Sequence, residues 1–511
     1  MPTYWTMSVI EILLATLAGL LVYIGLRMRK HFNYWKDLGV ACEPPNWLMG
    51  SVAGLGTSKP LNHIISDYYA KFRLAGPFVG FYWFSKLAVF VMEPNLIKHI
   101  MIKDFSKFTD RGLYTNEEDD PLSAQLVNLD GAKWRHMRNK LSPTFTSGKM
   151  KVMFPLVTKL GNDLIEVFHK TLVSDQVLEV RDLVARFTTD VIGTCAFGLE
   201  IDSLHNPNVE FRRMSRKAIV EKRYGTLGFM LRFSFPELSR RLHVKETVAD
   251  VEEFFLDIVR NTVDYREQNN VKRNDFMDML IDLKNNKLMK SETGEEMTNL
   301  TFGQIAAQAF FFLLAGFETS STTMSFALYE LAQNQKVQQK ARQEVEQVLE
   351  KHGGQFTYEC MKELVYLDQV IEETLRLYTV ISALLRRALE DYVVPDHPHY
   401  VIKKGMFVVI PACAIHRDER YFPQPNVFNP DNFIPVKVAA RDSILNLSFG
   451  EGPRNCIGLR FGKMQTLVGL ALLLKNFKFS TCEQTPIPMT YDKKSFLVSS
   501  ESGIYLKVEK L

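Results

Sequence analysis

The chain has 511 residues, 46% hydrophobic and 23% charged, with 62 lysines and arginines against 58 aspartates and glutamates, a net charge of +4. That apolar share and that density of charge exclude a disordered chain, a collagen-like repeat and a polytopic membrane protein, and the near balance of charge argues against wholesale nucleic-acid binding. No Gly/Ser/Pro linker or internal period divides the sequence, and six cysteines (Cys42, Cys195, Cys360, Cys413, Cys456 and Cys482) are too scattered for a CxxC pair or a zinc cluster, so one large body is expected.

Residues Ser8 to Leu26 are apolar apart from Glu11. As a helix the stretch spans about 28 Å, close to the hydrocarbon thickness of a bilayer. No basic residue precedes it, and Arg27, Arg29, Lys30 and His31 follow at once. This order of charge is the reverse of a cleaved signal peptide and predicts an uncleaved anchor over residues 1–30, with its start in the lumen and the rest of the chain in the cytosol. Pro44-Pro45 then stiffens the chain where it leaves the membrane.

The remainder reads as mainly α with a small β region. Strand-like stretches lie at Gly80 to Met92, Tyr392 to Pro411 and Gly503 to Val508, and residues 150–380 are mainly helical. Between Leu227 and Leu242, Phe229, Phe233 and Phe235 mix with Arg232, Arg240 and Arg241, a pattern suited to a surface dipping into head groups or to a helix-loop-helix edge of the core. Ile305 to Phe317 is apolar but for Gln308, too short to span a bilayer, and so predicts a helix buried inside the body. It ends in Ala315-Gly316-Phe317-Glu318-Thr319, where a glycine costs about 1 kcal/mol against alanine; the segment either makes room for a ligand or marks a tight helix crossing with a back-bonded threonine. Ala332 to Lys351, with Val337, Ala341, Val345 and Leu349 four residues apart, reads as an exposed amphipathic helix.

Phe449-Gly450-Glu451-Gly452-Pro453-Arg454-Asn455-Cys456-Ile457-Gly458 is a glycine-rich loop leading into the apolar stretch Leu459 to Leu474. A thiolate metal ligand needs a tight turn that admits a bulky cofactor and a helix N-terminus near the sulfur, and this segment offers both. A dinucleotide fingerprint is rejected, because Asn455 stands where the third glycine is required and no strand clearly leads in.

The pattern Phe449-x-x-Gly452-x-Arg454-x-Cys456-x-Gly458 resembles the haem-binding loop of the cytochrome P450 haem-thiolate monooxygenases. The likeness extends along the chain through Trp134-x-x-x-Arg138, Ala315 to Thr319, Glu373-x-x-Arg376, Arg386 and Phe428-x-Pro430-Asp431-Asn432-Phe433. In Leu129-Asp130-Gly131 and Leu141 to Lys149 it is similar to microsomal insect members of the xenobiotic-metabolising clan. The resemblance implies the P450 fold, with residues 31–511 forming a single catalytic domain around haem b (iron protoporphyrin IX). It implies Cys456 as the axial ligand of the iron, with Phe449, Gly450 and Gly458 shaping the loop. Trp134, Arg138, Arg386 and Arg454 would clamp the propionates. Thr319 with Glu318 would hold water and relay protons to dioxygen above the haem, while Ala315 and Gly316 leave room for it. Glu373 and Arg376 would form a buried ion pair in support. Candidate pocket walls are Arg111 to Leu126, the Ala307 to Phe317 face with Phe310 and Phe311, and Ile381 to Leu385.

The activity so implied is insertion of one oxygen atom from dioxygen into lipophilic molecules, xenobiotics or endogenous hormones and lipids, at the endoplasmic reticulum membrane. With no Rossmann or Walker sequence of its own, the chain would draw electrons from NADPH-cytochrome reductase, with cytochrome b5 as an additional donor. Lys133, Arg135, His136, Lys140, Arg460 and Lys463 make up an expected basic docking face. A haem-thiolate isomerase or dehydratase, and a membrane haem protein without catalysis, are the alternative readings. Two departures stand out from the family pattern. Asn432 replaces a frequent arginine, and Tyr378-Thr379-Val380 lacks the usual prolines.

Overall fold

The computed structural model describes residues 3–221, 223–285 and 299–511. The chain begins with α1 (Thr3–Phe32), which runs past the apolar stretch because Arg29, Lys30 and His31 continue the helix and suit its C-terminal turn. Its segment Ile10–Phe32 is 23 residues of mean hydropathy 1.8 with none of it buried, long and apolar enough to cross a membrane.

The first β-rich stretch folds as a hairpin of β1 (Phe78–Trp83) and β2 (Lys86–Val91), paired from Phe78 with Val91 to Trp83 with Lys86. Gly80 on β1 lies against Trp35; a Cβ there would come within 2.2 Å of the indole. After β3 (Val177–Glu179), the 392–411 region supplies β5 (Tyr392–Val394), β6 (His397–Ile402) and β7 (Phe407–Ile410), preceded by β4 (Leu384–Arg387). Strand β7 pairs in parallel with β2 and antiparallel with β4, giving the order β1-β2-β7-β4. The chain ends with β8 (Phe477–Ser480) and β9 (Tyr505–Lys510), which with β3 form a sheet ordered β3-β9-β8. The strands β3, β4 and β8 escape the sequence pattern because they are only three or four residues long.

The helical part packs around two long helices. One is α5 (Phe302–Gln333), opened by a capping box in which Thr301 Oγ1 accepts from the Gln304 N–H and Gln304 Oε1 accepts from the Thr301 N–H. It runs 16 residues beyond the stretch expected, because the polar run after Phe317 bonds within its own helix: Thr323 Oγ1 donates to Thr319 O and Ser325 Oγ to Ser321 O. The expected single helix from Ala332 is broken at Asn334, whose Nδ2 donates to Glu330 O, and α6 (Gln335–Lys351) starts afresh with Ala341, Val345 and Leu349 buried. The other long element, α8 (Leu459–Asn476), closes on α3 (Ser147–Thr171) at Gly161 and on α5 at Gly469, where an added Cβ would meet Leu472 Cδ1 at 2.5 Å and Met324 Cε at 2.3 Å. The helices α2 (Gly131–Leu141) and α4 (Val180–Ile192) precede α5 in sequence, and α7 (Val365–Leu377) lies between α6 and α8.

The 227–242 run divides into helices Gly225–Ser234 and Pro236–Arg241. Phe233 is buried between Trp83, Phe84 and Phe407, and Arg232 is buried with its guanidinium on Lys245 O, so these two face the core. The outward apolar side chains are Leu227, Phe235, Leu238 and Leu242.

Helix α5 crosses α4 at Gly316. A Cβ on Gly316 would sit 2.3 Å from Ile192 Cδ1 and 2.8 Å from its Cγ1. The crossing therefore requires glycine there, and overpacking it displaces one helix from the other. Gly316→Ala is expected to cost about 1–3 kcal/mol in urea unfolding. Adding Ile192→Val, which deletes the clashing Cδ1, is expected to recover most of that loss.

Candidate functional site

A cavity of about 500 Å³ lies between α5 and the loop that carries Cys456. It is lined by Arg111, Gln125, Leu126 and Val127 on one side, by Phe311, Phe312, Leu314, Ala315, Gly316 and Thr319 of α5, by Val380, Ile381 and Leu384, and by Phe449 to Gly450 and Arg454 to Gly458. All three expected wall segments contribute. Phe311 lines the cavity, whereas Phe310 packs on Phe255, and Leu385 is not among the lining residues. The one polar side chain expected inside α5 has a use: Gln308 Oε1 accepts from the Leu126 N–H at 2.9 Å and its Nε2 donates to Ala124 O at 3.0 Å, which fixes the opposite wall.

The loop is shaped by its glycines. Gly450 and Gly452 have φ of 68° and 71°, the left-handed region that favours glycine, and a Cβ on Gly452 would also lie 1.9 Å from Met101 O, so the close backbone approach there needs glycine. The Cys456 N–H donates to Phe449 O at 2.8 Å, and α8 begins three residues after the cysteine. Cys456 is exposed and lines the cavity, so its thiol is accessible there. Burial pushes the thiol pKa above its ordinary value, opposed by the Gly458 N–H and by the charges of Arg138 and Arg111. A coordinated cation is what would complete its deprotonation.

The cationic rim is the second part of the site. Arg386 and Arg454 are both buried, and among the described residues Arg386 Nε and Arg454 Nε and Nη1 have no hydrogen-bond acceptor. Arg454 Nη2 donates to Leu129 O at 2.7 Å, and its guanidinium lies 4.2 Å over the Trp134 ring, a cation–π contact that places the indole beside the rim. Burial, then the Arg111 charge, lowers the Arg454 pKa to about 9. Burial, then Arg138, takes Arg111 to about 10. Arg386 is pushed well below its ordinary value by burial and by Arg111 and Arg454. Asp130, 3.7 Å from Arg454 Nη2, only partly offsets this charge. Buried donors without acceptors, facing an apolar cavity with a thiol in it, fit a flat metal macrocycle bearing two carboxylates, which is haem.

Arg138 lines the cavity, and its guanidinium donates to Asn455 O at 2.9 Å and Asn455 Oδ1 at 2.8 Å, bracing the residue before Cys456. Not every expected residue turns to the cavity. Glu318 is not among the lining residues; its Oε1 accepts from Arg181 Nη2 of α4 at 2.9 Å. Thr319 does line the cavity, with Oγ1 donating to Ala315 O at 2.7 Å. The space beside Gly316 belongs to Ile192 as well as to the cavity, so the helix crossing accounts for the glycine, and Ala315 beside it puts only a methyl group on the wall. Sequence reasoning missed Arg111 as a charge on the rim and Gln465, whose Nε2 donates to Gly316 O at 2.7 Å and Ser320 Oγ at 2.6 Å and so ties α8 to α5.

Three residues of the expected docking face are engaged elsewhere, Lys133 with Glu117 at 2.9 Å. Lys140 is buried, and Lys463 binds Asp368 and Glu372 at 2.9 and 2.6 Å, joining α8 to α7. Arg135 and Arg460 remain exposed.

Glu373 and Arg376 form the buried pair. Arg376 Nε and Nη2 donate to the two carboxylate oxygens at 2.7 and 2.8 Å, and Arg376 Nη1 reaches His416 O and Pro425 O, both at 2.8 Å. Asn432 Nδ2 donates to Glu373 Oε1 at 3.1 Å, and Arg441, 4.1 Å over Phe422 with a bond to Asn432 O, brings the positive charge that Asn432 lacks. Glu373→Gln removes the counter-charge of a buried guanidinium. A loss of about 3–5 kcal/mol in urea unfolding, or failure to accumulate as folded protein, is the expected result.

The family model that matches the chain is "Cytochrome P450", over residues 40–508. The chain is 60% identical over 505 residues to "Probable cytochrome P450 6a21" and 59% identical over 505 residues to "Cytochrome P450 6a9", both of Drosophila melanogaster, in each case over 99% of this chain and all of the relative. It is 47% identical over 501 residues to "Cytochrome P450 6A1" of Musca domestica, covering 98% of this chain and 97% of that one. The chain belongs to the cytochrome P450 family, the haem-thiolate monooxygenases, and is similar over its whole length to insect members.

Proposed function

We propose that the chain is an endoplasmic-reticulum monooxygenase, anchored by α1, that inserts one atom of dioxygen into small lipophilic molecules, foreign toxins above all. Residues 31–511 act as its one catalytic body, and electrons come from NADPH-cytochrome reductase. The observation that carries the reading is the meeting of Cys456, the unsatisfied donors of Arg386 and Arg454, and the Ala315 and Thr319 wall around one largely apolar cavity.

Haem b, when bound, supplies dioxygen activation and the redox chemistry. The remaining work falls to the chain. Cys456 Sγ would hold the haem iron, on a loop that Arg138 braces through Asn455. Arg386, Arg454 and Arg111 would hold the two propionates, and Trp134 backs Arg454. Thr319 Oγ1 holds a proton at the cavity wall, with Ala315 O as its resting partner. Glu318, paired with Arg181, has no assigned contact with substrate. Phe311, Phe312, Leu314, Ile381 and Leu384 exclude water and orient an apolar substrate.

Cys456→Ala is expected to abolish the thiolate-type carbon monoxide spectrum of the ferrous protein, and a surviving thiolate signal would overturn the ligand assignment. In membranes with NADPH and reductase, lipophilic probes should be oxidised. Turnover without dioxygen would favour an isomerase or dehydratase, and haem binding without turnover across a broad panel would favour a carrier.

Electron delivery requires a docking surface near the cysteine loop. Arg135 on α2 and Arg460 at the start of α8 are the exposed cations to test there. Arg135→Glu with Arg460→Glu should slow reductase-driven turnover more at low salt than at high salt. Turnover driven by a peroxide donor should be unaffected, and an equal loss with peroxide would reject docking as the cause.

A further inference from the structure

His416 is buried at 1% exposure between the end of α7 and the start of the cysteine loop. The Leu447 N–H donates to its Nε2 at 2.9 Å. A backbone N–H can only donate, so Nε2 carries the lone pair and the ring proton sits on Nδ1. That nitrogen lies 2.7 Å from Thr379 Oγ1. The Thr379 hydroxyl donates onward to Arg376 O at 3.1 Å, and His416 O accepts from Arg376 Nη1 at 2.8 Å. Every polar group of the imidazole is thereby used, and each partner lies on one of two segments: the end of α7 or the lead-in to the loop. Burial, reinforced by the charges of Arg376, Arg417 and Arg441, lowers the His416 pKa to about 3, so the ring stays neutral and the tautomer stays as assigned.

Leu447 is where the loop begins. Its carbonyl accepts from the Gly450 N–H at 3.0 Å, and Phe449 O accepts from the Cys456 N–H at 2.8 Å. We propose that Thr379 and His416 are positioning residues for Cys456: the chain of bonds from Arg376 O through Thr379 and His416 to the Leu447 N–H fixes the upstream end of the cysteine loop against α7. The downstream end is fixed separately, where α8 begins three residues past Cys456. Thr379 stands in the stretch that lacks the family's prolines. A proline at 379 could make neither bond, so this chain holds its loop by a contact that the usual sequence at that point does not provide.

The inference rests on Cys456 being the iron ligand, and the test separates the two. The full-length, haem-loaded protein is reduced under carbon monoxide and warmed, and the thiolate-type spectrum is followed alongside the far-ultraviolet circular dichroism of the helices. Thr379→Val keeps the β-branched shape and loses the hydroxyl, leaving the buried Nδ1–H without an acceptor. It is expected to lose the thiolate signal about tenfold faster, with the helical melt unmoved, because a single buried hydrogen bond is removed. Thr379→Ser, which restores the hydroxyl, is expected to behave as the wild type. A Thr379→Val protein with wild-type spectral lifetime, a Thr379→Ser protein as labile as Thr379→Val, or a helical melt that falls in step with the thiolate signal would each overturn the positioning role. Absence of a thiolate-type spectrum in the wild type would overturn the assignment of Cys456 itself, and this inference with it.

Discussion

The bidentate bond between Glu373 and Arg376 is the constraint from which the site is built. Both side chains are fully buried, and a buried charge pair is tolerable only if its remaining lone pairs and protons are also matched. The chain meets that demand by folding around the pair: Glu373 also accepts from the Asn429 N–H and Asn432, and Arg376 is bound to the carbonyls of His416, Pro425 and Val427. Satisfying one ion pair thus gathers residues 416 to 432 against α7, and the cysteine loop begins at Leu447, beyond the short helix Pro435–Ala440. Position of the sulfur is a downstream result of electrostatic bookkeeping one helix away.

The rim of the cavity obeys the opposite rule. There Arg111 and Arg454 lie close enough to Arg386 to depress its pKa, Arg111 depresses that of Arg454, and Asp130 is the one carboxylate that raises Arg111 and Arg454 together. Leaving buried cations unpaired costs several kcal/mol per ion by general reckoning. Capture of a dicarboxylate by this rim is therefore coupled to the stability of the body, in the ordinary manner of a ligand that binds only the folded state.

What the amino-acid sequence disclosed, it disclosed where chemistry is local. The anchor is legible because apolar length and flanking charge need no tertiary context, and the Cys456 loop is legible because glycines, a cysteine and an apolar helix adjoin within 26 residues. The Glu373-x-x-Arg376 pair is legible because one helical turn brings the two together. Direction is what spacing conceals. Glu318 and Thr319 are neighbours, yet about 100° of helical rotation sends one to Arg181 and the other to the cavity. Arg138 turns to Asn455 and Lys463 to Asp368 and Glu372 through contacts across 317 and 95 residues, and Arg111 joins the rim from a loop with no periodic pattern at all. The separation of α5 from α6 at Asn334 was hidden for a different reason: a single asparagine competing for a helix carbonyl leaves the four-residue spacing on either side undisturbed.

Ile192 belongs to two structures at once. Its side chain fills the notch left by Gly316 where α4 crosses α5, and it also lines the cavity. A change of volume at this position is felt by the substrate space and by the seating of the central helix together. Chemical selectivity and fold robustness are thus tied at one side chain, so diversification of substrate range through residue 192 is constrained in a way that Phe311 or Ile381, which line the cavity without bracing that crossing, are not.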